Sequence, residues 1–95
     1  MPVVTVRVFA SLRELLGRNT VDVDAPVEDV KGLISFIADR FQPSFKDAIV
    51  DPKAGEVWKG FSVLVNGRDI AFLEGLRTKL KDGDIVAFFP PIGGG

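Results

Sequence analysis

The chain has no cysteine and no histidine. Without cysteine there are no disulfides, thiolate zinc sites, iron–sulfur clusters or thiol nucleophiles. Without histidine the commonest general base and the commonest metal ligand are missing. An excess of charge of one sign is lacking too. Lys plus Arg is 12 and Asp plus Glu is 13, for a formal net charge of -1. Neutralising nucleic-acid phosphates needs a basic surplus, so no nucleic-acid partner is expected. No stretch approaches the roughly 18 apolar residues of a membrane-spanning helix, so no membrane partner is expected either. The opening MPVVTVRVFA is broken by Arg7 and lacks a small-residue cleavage site, so it reads as a strand and not as a signal peptide. A cytoplasmic setting follows as the expectation. Carboxylates, amines and hydroxyls remain for chemistry, or no catalytic side chain at all.

What is present suffices for one domain. Ninety-five residues, 46% of them hydrophobic, predict one core that hides roughly 60–70% of the unfolded surface. Residues 3–9 alternate, with Val4, Val6 and Val8 on one side and Thr5, Arg7 and Phe9 on the other. β-Branched residues at period two predict a strand. Ser11 is placed to cap a short helical turn, with Glu14 as in a capping box and Gly17 as the stop. Residues 20–23 predict a second strand, close enough in sequence to pair antiparallel with the first. Pro26 opens the main helix, where its missing N–H costs nothing. Glu28 and Asp29 then fall in the first turn, where the helix dipole favours acid. Val27, Val30, Leu33, Ile34, Ile37, Ala38 and Phe41 form one stripe at helical period. Phe36 faces the other way and needs cover from another segment. Pro43 ends the helix.

Residues 42–60 are the least regular, with Pro43, Pro52, Gly55 and Gly60 among scattered charges. They read as an excursion from the domain, with a short helical piece near residues 45–50 and Trp58 packed inside it. Residues 61–65 predict a strand, Asn66-Gly67 a tight turn and residues 68–70 a short return. Residues 73–76 and Asp82-Gly83-Asp84 read as turns. Residues 85–89 form the last strand, ended by Pro90-Pro91, which cannot extend a ladder. One main helix against a mixed sheet is an α+β arrangement. The division expected is a folded unit over residues 1–89, with the excursion at 42–60, and a flexible tail over residues 90–95.

That tail is the most informative feature. Two prolines stiffen it, and Ile92 leads to Gly93, Gly94 and Gly95. Glycine-rich ends are common as plain floppy termini. They also pass through narrow channels, because no Cβ stands in the way. The segment from Asp82 to Gly95 (DGDIVAFFPPIGGG) and the segment from Val8 to Gly17 (VFASLRELLG) together resemble the MoaD/ThiS sulfur carriers. Within that family they look like the small subunit of molybdopterin synthase. The resemblance covers nearly the whole chain and implies a β-grasp, ubiquitin-like roll with the first and last strands parallel at its centre.

The resemblance also implies a mechanism. A ubiquitin-activating-like adenylating enzyme would use ATP to activate the carboxylate of Gly95. A sulfur donor enzyme would displace AMP and leave a thiocarboxylate. The carrier would surrender the sulfur inside the molybdopterin synthase large subunit, or in a cysteine synthase-type acceptor. Gly94-Gly95 is the obligatory pair in this family, and the position of Gly93 varies. No cofactor would be bound by the chain itself, and no catalytic side chain is expected in it. The absence of a Walker-type glycine loop agrees with ATP being held by the partner.

The family match points to Phe9, Arg13 and Phe89, with Pro90 and Pro91, as the partner-binding surface. Spacing alone leaves plain packing open for Phe9, and alternation lets only one of Phe88 and Phe89 face outward. Asp22, Asp24, Glu28 and Asp29 gather acid, but capping and dipole matching account for it and no metal site is expected. Arg77, Lys79 and Lys81 form a small basic patch, read as a solvated face. The run from Phe61 to Ile70 (FSVLVNGRDI) with Leu73-Glu74-Gly75-Leu76 looks like longer family members. Some of these serve cysteine biosynthesis, and some archaeal ones are attached to lysines as modifiers. Three functions therefore stand as expectations: a sulfur carrier for molybdopterin, cysteine or thiamine biosynthesis; a lysine-conjugated modifier; and a non-catalytic interaction domain.

Overall fold

The computed structural model describes residues 3–91. The alternating valines make β1 (Val3–Val8), with Val4, Val6 and Val8 buried. The chain then turns sharply at Ala10 into α1 (Ser11–Leu16). The expected cap does not form. Ser11 is already helical, and the N-cap is Ala10, whose carbonyl accepts from the N–H groups of Arg13 (3.0 Å) and Glu14 (3.2 Å). Gly17 ends α1 as expected, at φ 73, with its N–H donating to the Arg13 carbonyl at 2.8 Å. Strand β2 (Thr20–Asp24) returns antiparallel along β1, setting Val23 beside Val4 and Val21 beside Val6.

The main helix, α2 (Val30–Arg40), begins at Val30 and not at Pro26. The reason lies far away in sequence. The Val30 N–H donates to the Thr78 carbonyl (3.1 Å), and the Leu80 N–H donates to the Glu28 carbonyl (2.9 Å). An antiparallel bridge between Asp29 and Lys79 completes the link and holds this stretch extended. Asp29 is then the N-cap, and its carboxylate accepts from the Gly32 N–H at 2.8 Å. Val30, Leu33, Ile34, Ile37 and Ala38 are buried. Phe41 leaves the expected stripe: it is the C-cap, 38% exposed, with the Arg18 guanidinium 5.2 Å from its ring centre. Over Phe36 lies Arg40, one turn along the same helix, with its guanidinium 5.7 Å from the ring centre.

The excursion is part of the core. It contains α3 (Ser44–Ile49) and a hairpin of β3 (Val50–Asp51) and β4 (Glu56–Val57). Phe45 and Ile49, one helical turn apart, are fully buried. The Phe45 ring meets Phe88 edge to face at 5.5 Å. Trp58 is 43% exposed, in contrast to the packing expected, though its indole N–H donates to the Asp47 carbonyl at 2.9 Å.

Strands β5 (Ser62–Val65) and β6 (Arg68–Asp69) form a hairpin through Asn66 (φ 51) and Gly67 (φ 84), the pair of positive angles such a turn demands. Two 3-10 turns, Ile70–Phe72 and Gly75–Arg77, replace the simple turn expected at residues 73–76. Strand β7 (Ile85–Phe89) closes the sheet in the order β2-β1-β7-β5-β6. β7 runs parallel to β1 and antiparallel to β5. One face carries α2 and the core. This is the β-grasp roll. Among the described residues, no helix is long and apolar enough to cross a membrane.

Candidate functional site

The ladder between β1 and β7 builds the site. Val8 lies opposite Phe88, and both point into the core. Phe9 and Phe89 follow on their two strands and turn to the opposite face. Their rings stack with centroids 4.3 Å apart and an interplanar angle of 8°. Phe9 is 38% exposed and Phe89 half-buried, whereas Phe88 is fully enclosed. Alternation left the choice between Phe88 and Phe89 open; the register resolves it, because only Phe88 can meet Phe45.

The stack continues into an apolar strip across the uncovered face. Leu64 of β5 lies opposite Ala87, and Ile85, 41% exposed, ends the row on β7. Sequence reasoning missed Leu64 and Ile85 as members of this surface. Alternation within 62–65 and 85–89 places them, once β5 and β7 are known to be neighbours. The strip's flank on β2 is acidic, with Asp22 and Asp24 exposed. Asp22 accepts a long 3.4 Å hydrogen bond from the Thr5 hydroxyl on β1. Arg13 stands exposed on α1, four positions beyond Phe9.

The tail leaves from the same place. Pro90 is half-buried and Pro91 exposed. Gly93, Gly94 and Gly95 lie outside the described residues. Of the other candidates, Asp29 is committed to capping α2. Asp22, Asp24 and Glu28 are exposed, and among the described residues no cluster of acidic side chains suited to a metal ion is found. Arg77, Lys79 and Lys81 are exposed, the reading expected of a solvated face.

The fold and its aromatic-flanked tail define a ubiquitin-like protein. The chain belongs to the ThiS family, which matches residues 6–95. It is 39% identical to small archaeal modifier protein 3 of Haloferax volcanii, over 94% of this chain and 95% of that one. In structure it is similar to the Amycolatopsis orientalis BexX/CysO complex, with a TM-score of 0.83 and 28% identity over 97% of this chain and 99% of that one. It is also similar to a protein from Pyrococcus furiosus described as a putative molybdopterin converting factor, subunit 1. There the TM-score is 0.74 and the identity 29%, over 97% and 100% of the two chains. The chain is thus a ubiquitin-like protein of the sulfur-carrier and modifier group.

Proposed function

We propose that residues 1–89 are a handle and residues 90–95 a tail whose Gly95 carboxylate carries sulfur. A carboxylate is a poor electrophile and needs activation. Its oxygen attacks the α-phosphorus of ATP in an adenylating partner, and pyrophosphate leaves. Hydrosulfide released by the sulfur donor then attacks the acyl carbon, AMP leaves, and a thiocarboxylate remains. The single observation that carries this reading is the stacked Phe9–Phe89 pair at the root of the tail. It offers a partner a rigid apolar anchor beside the reactive end, and Arg13 adds charge. ATP-dependent activation also supports a cytoplasmic setting.

The acceptor we propose is the molybdopterin precursor, with the chain acting as the small subunit of molybdopterin synthase. The Phe88-Phe89-Pro90-Pro91 run and the likeness to the Pyrococcus furiosus protein support this choice. Conjugation to lysines is the second reading, favoured by the 39% identity to a protein named as a modifier. The test is mass spectrometry of the chain after incubation with the adenylating enzyme of the same genome, ATP and a sulfur source. The expected product is heavier by one exchange of oxygen for sulfur. That product is then given to molybdopterin synthase large subunit with its precursor, or to a cysteine synthase-type enzyme with an activated serine. Dithiolene formation supports the proposed acceptor, and cysteine formation replaces it. Adducts of higher mass on lysines, with no thiocarboxylate formed, favour the modifier reading.

A further inference from the structure

The turn between β5 and β6 is tied to the start of β7 by an amide side chain. The Asn66 Nδ2 donates to Asp84 Oδ1 at 2.8 Å, and the Asn66 Oδ1 accepts from the Ile85 N–H at 2.9 Å. The Asn66 N–H also donates to the Ile85 carbonyl at 2.8 Å. The other oxygen of Asp84, Oδ2, accepts from the Lys81 N–H at 2.7 Å. The Asp84 carbonyl accepts from the Thr5 N–H at 3.0 Å, which brings β1 into the same junction. An amide fits between Asp84 and Ile85 because it gives a hydrogen at one end and takes one at the other.

The same asparagine has a reactive neighbour. Gly67 follows it, and no Cβ hinders the approach of the Gly67 nitrogen to the Asn66 Cγ. Both residues are exposed. When a bond forms between that nitrogen and Cγ, the side-chain nitrogen leaves as ammonia and takes the Gly67 N–H proton with it. A cyclic imide remains. Water opens it at Cγ to aspartate, or at the main-chain carbonyl to isoaspartate. Asn19, the other asparagine, precedes Thr20, whose branched Cβ crowds the same approach.

We propose that Asn66 is a deamidation site that the folded junction holds off, and that its conversion loosens the join between β5 and β7. Cγ cannot swing to the Gly67 nitrogen until the bonds to Asp84 and Ile85 have broken. The aspartate product has no hydrogen to give Asp84 and sets one carboxylate against another. The isoaspartate product adds a carbon to the main chain inside the tight turn between Val65 and Arg68. The change falls at Ile85, the end of β7 away from the Phe9–Phe89 stack.

The experiment ages the full chain in mildly alkaline buffer, folded or unfolded in guanidinium chloride, and reads residue 66 by mass spectrometry of proteolytic fragments. Exchange of NH for O marks conversion. The folded chain is expected to convert at least roughly tenfold more slowly than the unfolded one. In the unfolded chain Asn19 is expected to lag behind Asn66. Equal rates at residue 66 in the two states overturn the protection. The second arm compares urea unfolding midpoints at neutral pH. Asn66→Asp, which mimics the product, is expected to lower the midpoint. Asp84→Asn is expected to lower it too, because one oxygen remains where two accept. Asn66→Asp/Asp84→Asn exchanges donor and acceptor. The amide at 84 then donates to the carboxylate at 66 and still accepts from the Lys81 N–H. The double variant is expected to recover most of the loss. An unchanged midpoint in Asn66→Asp, or no recovery in the double variant, overturns the loosening. The rate comparison needs no variant, so it decides the protection even where a variant fails to fold.

Discussion

Ala10 adopts φ 51 and ψ -125, a conformation that glycine accepts and a Cβ resists. The strain is spent on a sharp turn between β1 and α1 that leaves Phe9 outside and sends Leu12, fully buried, into the core. Ala10→Gly should therefore stabilise the chain by about 1 kcal/mol in urea unfolding, the strain relieved being partly offset by backbone entropy. A loss of stability would show that the turn is not strained. At Phe89 the readout is binding. Phe89→Ala should weaken the complex with the activating enzyme by about 1–3 kcal/mol, measured by calorimetry, if the stacked pair is a hot spot. Unchanged affinity would remove Phe89 from the interface. Alternation placed Phe9 opposite the valines, but it could not say whether that face was covered. Exposure depends on where the helices pack, and no pattern within 3–9 encodes that.

Among the elements, those with local causes were legible and those with distant causes were not. Period two marked β1, Gly17 marked the end of α1, and Asn66-Gly67 marked the β5–β6 turn. The start of α2 was misread because its cause is the link to residues 78–80, which keeps 28 and 29 extended despite Pro26 and two acids. Asp29→Ala should cost about 1 kcal/mol of stability through loss of the cap, read from thermal or urea unfolding. An effect near zero would show that the link to residues 78–80 alone starts the helix. The excursion hid its role for a different reason. Two buried residues, Phe45 and Ile49, are too few to display a period, and each strand of its hairpin is only two residues long. Phe45→Ala should destabilise by about 3–5 kcal/mol, since it empties the space against Phe88. A cost below about 1 kcal/mol would mean that α3 is dispensable to the core.

For the whole molecule, the proposed function separates the handle from the chemistry. Deleting Gly94 and Gly95 is expected to leave the unfolding midpoint unchanged and to abolish thiocarboxylate formation in the mass spectrum. A large drop in stability would contradict the division at residue 90. The candidate site was legible as two sequence signatures whose meeting came from the family resemblance and not from the residues themselves: 79 residues separate Phe9 from Phe89, and the parallel pairing of β1 with β7 brings them together. That pairing also orders events at the ribosome. β1 is the first of the described strands to be made, yet its central neighbour β7 is the last of them, and the Val3 N–H waits for the Asp82 carboxylate that it meets at 2.8 Å. Among the described residues, the sheet therefore cannot close until β7 has been made. A partner that recognised the Phe9–Phe89 stack would, in the same contact, recognise that β7 has paired with β1 and the sheet is closed.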